Sequence, residues 1–178
     1  SARGDLPKEI YALAEETGKE IIKRGHVLIT GAAKGISAFA TKGAKEIGGK
    51  TIGVSPTANN SEKENYEVDF EFLDEIIHTG DGYKGRNVIG VRKCDGMIAI
   101  NGGFGTLNEI TIAEGEGKPI VILEKSGGCC DIIKDIFEKL NSEYNYFQLV
   151  KTPKEAVSKV IDLIEKQRSK NSTNTPKV

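Results

Sequence analysis

Met97-Ile98-Ala99-Ile100-Asn101-Gly102-Gly103-Phe104-Gly105-Thr106-Leu107-Asn108-Glu109 decides how the rest of the chain is read. A short apolar run of the kind that forms a buried strand leads straight into three glycines within four positions, and a helix is predicted from about Thr106 to Glu116. Strand, glycine-rich turn, helix is an arrangement that binds phosphate. Glycines let the backbone approach the anion, and the first free N–H groups of the helix point at it. The same spacing also makes a tight turn with no ligand, and spacing alone leaves both readings open.

Upstream, Ile10, Leu13, Ala14, Ile21 and Ile22 form a one-sided stripe that predicts a helix over residues 5–24, ended by Gly25. His26-Val27-Leu28-Ile29-Thr30 reads as a strand stopping at Gly31. The pattern then repeats: Ile36, Phe39, Ala40, Gly43, Ala44 and Ile47 share a helical face, Gly48-Gly49 closes it, and Thr51 to Val54 is the next strand. Pro56 to Glu67 reads as a polar loop, Glu75 to Thr79 as a strand and residues 83–94 as a helix. Downstream come a strand at Pro119 to Leu123, a helix over 130–140 and a strand at Phe147 to Val150. Thr152-Pro153-Lys154-Glu155 supplies an N-cap, a first-position proline and a capping-box Glu, so the last helix starts there.

This alternation specifies an α/β chain: a Rossmann-like parallel sheet with helices on both faces, as a single domain over residues 1–168. The polar residues 169–178 are expected to form a disordered tail. The chain opens on Ser1-Ala2-Arg3-Gly4, which reads like the loop after a strand, yet no strand stands before it. The expectation is that one strand of the sheet is lost to truncation, or that another segment fills its place.

With 25 Lys+Arg against 26 Asp+Glu, the formal net charge of -1 gives no overall attraction to nucleic acid or to an anionic membrane. No apolar run approaches the roughly 20 residues that span a bilayer, and no signal-peptide order is present, so a cytoplasmic location is expected. Cys94, Cys129 and Cys130 are too few for a disulfide framework, and with only His26 and His78 beside them no metal-ligand spacing appears. Neither a metal nor a required cofactor is predicted.

Glu109 has two readings. Thr106-Leu107-Asn108-Glu109 fits a capping box; a carboxylate in this first helical turn could also stabilise a cation or act as acid, base or nucleophile. Gly31-Ala32-Ala33-Lys34-Gly35 is a second glycine loop between strand and helix, in which Lys34 could reach a phosphate. It is not a Walker A sequence, because Ile36-Ser37 stand where Lys-Ser/Thr would be required. Both loops follow strands of a parallel sheet, which puts them on its carboxyl edge, where ligands of such folds bind. Arg86 could make a bidentate phosphate or carboxylate contact or be a solvated surface residue. Cys129-Cys130 opens a helix and receives no catalytic role.

Arg86-Asn87, Asp95 to Ile100 and Gly102-Gly103-Phe104-Gly105-Thr106-Leu107-Asn108-Glu109 together resemble the Lonely Guy family, long labelled lysine decarboxylases, from about Leu6 to Leu163. Its active members are phosphoribohydrolases that cut the N-glycosidic bond of cytokinin nucleoside 5′-monophosphates. The resemblance implies that Glu109 and Arg86 are the catalytic pair. The two glycine loops supply the expected phosphate- or nucleotide-binding set beside that pair: Gly31, Lys34, Gly35, Asn101, Gly102, Gly103, Phe104, Gly105 and Thr106. Nothing resembles a lysine decarboxylase site. The active enzymes have Pro at Asn101, Glu and Lys at Gly85 and Asn87, and three consecutive glycines in the first loop. The Arg-Asn pair is instead similar to the branch that includes the molybdenum-cofactor carrier protein.

Two functions are therefore expected as alternatives. One is a nucleoside 5′-monophosphate phosphoribohydrolase; the other is a non-catalytic carrier or sensor of a phosphorylated cofactor. The partner is a small-molecule nucleotide or phosphorylated cofactor, not a membrane or nucleic acid, and the resemblance implies self-association as a dimer or tetramer.

Overall fold

The computed structural model describes residues 6–140 and 147–173. Helices and strands alternate along the chain: α1 (Lys8–Lys23), β1 (Leu28–Thr30), α2 (Ile36–Glu46), β2 (Thr51–Ser55), β3 (Glu75–His78) and α3 (Gly82–Lys93). They are followed by β4 (Met97–Ala99), α4 (Phe104–Gly115), β5 (Ile120–Leu123), α5 (Cys129–Lys139), β6 (Phe147–Val150) and α6 (Pro153–Thr173). The loop after β2 holds a 3₁₀ turn at Asn60–Asn65.

All strand pairs are parallel, in the orders β1-β2-β3 and β4-β5-β6. The fold is thus the expected α/β one, with its sheet in two halves. β1 and β4 each lie at an edge of their half, and both border a cavity of about 580 Å³.

β5 shows why helices cover both faces. Its four residues are fully buried and alternate between two cores. Ile120 and Ile122 join Val91, Ile110, Ile133 and Phe137 from α3, α4 and α5. Val121 and Leu123 join Ala14, Ala44, Ala156 and Val160 from α1, α2 and α6. A period of two sends successive side chains to opposite faces, and each buried aliphatic contributes about 1.5 to 3 kcal/mol.

α1 and α2 pack backbone to backbone: a Cβ at Gly18 would overlap the Ala40 carbonyl, and one at Gly43 the Glu15 carbonyl. At α6 the expected capping box is present in both directions. Glu155 N–H donates to Thr152 Oγ1 at 3.2 Å and Thr152 N–H to Glu155 Oε2 at 3.1 Å. α6 continues through Ser169 to Thr173, into the segment expected to be a polar tail; residues 174–178 lie outside the described residues.

Candidate functional site

The turn after β4 is fixed from beneath. Asn101 has φ 54° and Gly102 φ 91°, so the chain makes two left-handed steps before α4 begins. Asn tolerates this region better than most residues, and its amide is fully engaged in holding it. Nδ2 donates to the Ser126 carbonyl at 2.7 Å, and Oδ1 accepts from the Gly102 N–H at 2.6 Å. The Asn101 N–H donates to Ser126 Oγ at 2.7 Å, and Ser126 Oγ donates onward to the Leu123 carbonyl. The buried Asn101 side chain is therefore a brace for the turn.

Its partner is a third glycine loop, Ser126-Gly127-Gly128, between β5 and α5. Cys129 N–H donates to the Gly102 carbonyl at 2.7 Å, and a Cβ on Gly128 would overlap that same oxygen. Ser126 is the residue the sequence reading missed. A signal for it exists in the sequence, since strand, two glycines and helix repeat the pattern of the first two loops. Cys129 and Cys130 are buried under this junction. A hydrogen bond to Cys129 and then burial hold the Cys130 thiol above the ordinary thiol range, while the same bond lowers that of Cys129.

α4 begins at Phe104, two positions earlier than expected, and this corrects the capping-box reading of Thr106 and Glu109. The N-cap is Gly103, with no side-chain cap. Thr106 sits in the first turn under Gly102, where a Cβ on that glycine would overlap Thr106 Oγ1. A helix leaves its first N–H groups without intrahelical partners. Here they follow a glycine whose Cβ position has no neighbour within 4 Å. Phe104, 86% exposed, stands beside this open ground.

Glu109 serves a different partner. Its Oε1 accepts from Arg86 Nη1 at 2.8 Å. Arg86 is buried on α3, and its guanidinium lies so close to Gly31 that a Cβ there would overlap it. The first glycine loop, α3 and α4 thus meet at one ion pair. The next residue repeats the tie: Asn87 Nδ2 donates to Asn108 Oδ1 at 2.8 Å and to the Gly105 carbonyl at 3.4 Å. Among the described residues, Arg86 Nε is the one buried side-chain nitrogen or oxygen without a hydrogen-bond partner.

Gly31, Arg86, Thr106 and Glu109, drawn from both glycine loops and both candidate catalytic positions, line the cavity between β1 and β4. Lys34 and Gly35 stand outside that wall. Lys34 is exposed, its N–H tied to the Glu67 carbonyl at 3.2 Å, and Gly35 with φ 77° is the N-cap of α2. His78 Nδ1 meets Thr57 Oγ1 at 2.8 Å at the end of β3, apart from the Arg86–Glu109 pair. Among the described residues no group of three or more His, Cys, Asp or Glu could hold a metal ion. No described helix is long and apolar enough to cross a membrane.

The family model described as the SLOG cluster4 family matches residues 2–157. An uncharacterized protein of Archaeoglobus fulgidus is 36% identical over 121 residues, covering 68% of this chain and 75% of the relative. Among solved structures, the molybdenum cofactor binding protein of Rippkaea orientalis is similar with a TM-score of 0.72 and 30% identity, over 92% of this chain and 91% of that one. The molybdenum cofactor carrier protein of Chlamydomonas reinhardtii gives 0.74 and 28%, over 90% and 91%.

Proposed function

The chain belongs to the SLOG cluster4 family, and on that premise we propose that it binds a phosphorylated small molecule of the molybdenum-cofactor class and holds it without turnover. The observation that carries this reading is the open N-terminus of α4 at Gly103, above a turn locked by Asn101 and Ser126. A rigid cradle of free N–H groups needs no reorganisation to receive a phosphate, and the helix start favours its charge. In this reading Gly103 and the N–H groups of the first turn hold the phosphate, and exposed Phe104 offers an aromatic face to a pterin or base.

Two features favour binding over hydrolysis. Arg86 Nη1 donates to Glu109 Oε1 at 2.8 Å, so each charge already has a counter-charge before any substrate binds. Asn101 also supports a left-handed turn that a proline, with φ held near about −65°, could not adopt. The turn therefore differs in backbone from one carrying the proline of the active phosphoribohydrolases.

Incubating the protein with a panel of nucleoside 5′-monophosphates, and following free base by chromatography, tests the distinction. No base release is expected. Release that disappears in Glu109→Gln would instead assign a phosphoribohydrolase.

A further inference from the structure

Tyr83 is an exposed aromatic that the fold holds still. It sits in the first turn of α3, three and four positions before Arg86 and Asn87, so the three side chains share one face of the helix. Its hydroxyl accepts from the Glu67 N–H at 2.8 Å, and its ring meets that of Tyr66 edge to face, with centroids 5.3 Å apart at 73°. Glu67 belongs in turn to a segment tied to the first glycine loop. Its carbonyl accepts from the Lys34 N–H, Val68 bridges to Ala33, and the Asp69 N–H donates to the Ala32 carbonyl. Tyr83 is thus fixed at its tip and along its ring, yet it stays 42% exposed. A ring held in this way has already lost its rotamer freedom, and its open apolar surface is unfavourable in water unless something stacks on it. The start of α4 lies one helix away, because Asn87 Nδ2 reaches the Gly105 carbonyl at 3.4 Å. Packed helices stand about 8 to 10 Å apart, a gap that the sugar or pyran between a ring and its phosphate covers.

We propose that Tyr83 is the ring-selecting residue of the site, stacking on the fused bicyclic ring of the ligand, a purine or a pterin, while the phosphate lies at the start of α4. This rests on phosphate binding at α4 and adds what that binding lacks, since backbone N–H groups accept any phosphate and do not tell a nucleotide from a sugar phosphate. The π face of Tyr83 supplies the discrimination: it attracts a flat heteroaromatic ring and offers little to a bare sugar. The hydroxyl acts through its bond to Glu67, which sets the plane of the ring. Phe104 on α4, 86% exposed, is free to close on the other face of the same ligand.

Calorimetric titration with AMP, neopterin monophosphate and ribose 5-phosphate tests it, on the parent and on Tyr83→Phe and Tyr83→Leu. The two ring-bearing probes separate purine from pterin, and ribose 5-phosphate reads the phosphate alone. One ring-bearing probe or both should bind the parent about 5- to 150-fold more tightly than ribose 5-phosphate, the range of a single stacked base. Tyr83→Phe should keep most of that margin. Tyr83→Leu, which preserves apolar bulk, should erase it and leave ribose 5-phosphate affinity unchanged. Ring-bearing probes that bind the parent no better than ribose 5-phosphate would overturn the assignment without any variant, and so would a margin that survives in Tyr83→Leu; in both cases phosphate binding at α4 stands. A margin lost in Tyr83→Leu, with every probe bound equally well by Gly103→Val, would keep the assignment and strike the phosphate placement. No binding of any probe would overturn both.

Discussion

Replacing Gly103 separates folding from binding. Its φ is −116°, which any residue adopts, and a Cβ built there meets nothing within 4 Å. Gly103→Ala should therefore leave stability within about 0.5 kcal/mol of the parent, or raise it slightly by restricting the unfolded chain. Gly103→Val carries more bulk into the same open space, which is where a phosphate on the first turn of α4 would lie. Hydrogen bonds to a charged group contribute about 1.5 to 3 kcal/mol each. Losing one should weaken binding by roughly 10- to 150-fold, at 1.4 kcal/mol per tenfold. Gly102→Ala is the contrast: with φ 91° and Thr106 Oγ1 in the way, it should lower the unfolding midpoint itself. Urea unfolding and calorimetric titration with AMP or pyrophosphate, run on all three variants, read the two effects apart. Unchanged affinity in Gly103→Val, with the fold intact, would refute the placement of phosphate on this turn.

Glu109→Leu leaves the buried Arg86 guanidinium without its counter-charge, which should cost about 3 kcal/mol, or roughly 6 to 12 °C in thermal midpoint. The double variant Arg86→Met/Glu109→Leu should recover part of that loss, whereas additive losses would show that the pair contributes nothing by pairing. Asp74 accepts from Lys45 Nζ at 2.7 Å and from the Thr51 N–H at 2.8 Å, and these partners, Lys45 first, bring its pKa from 3.8 to about 2. Because the folded value is the lower one, this carboxylate stabilises the fold fully above pH 3.8 and its contribution is lost as pH falls towards about 2. Asp74→Asn should thus flatten the acid dependence of the urea midpoint in that window; an unaltered slope would count against it. Gly43→Ala forces a methyl against the Glu15 carbonyl and should destabilise by about 1 to 3 kcal/mol. Gly115→Ala, which meets nothing within 4 Å, is its neutral control in chemical denaturation.

The elements were legible because each rests on a local signal. The stripe from Ile10 to Ile22 marked α1, and the Thr152/Glu155 box placed the start of α6 where the reciprocal hydrogen bonds are found. At α4 the same kind of signal misled. Thr106 and Glu109 have capping-box spacing, but the turn already closes at Gly103, and a buried arginine from another helix takes the carboxylate. Competition of that sort is tertiary and leaves no trace in a four-residue window. The brace between Asn101 and Ser126 spans 25 positions in sequence and was equally out of reach, although the glycines after β5 hinted at a loop of the same kind. The sequence also drew Lys34 towards the site by analogy with phosphate-binding lysines. Lys34 is instead exposed and absent from the cavity wall, and its N–H donates to the Glu67 carbonyl.

The central claim is that the chain holds a phosphorylated cofactor and releases it unaltered. Equilibrium dialysis under anaerobic conditions against the molybdenum cofactor freed from a denatured molybdoenzyme, with the ligand recovered and weighed by mass spectrometry, tests it most directly. Saturable retention of an intact ligand, kept in Glu109→Gln and lost in Gly103→Val, is the predicted result. A ligand that equilibrates freely across the membrane, or one recovered cleaved only when Glu109 is present, would contradict it.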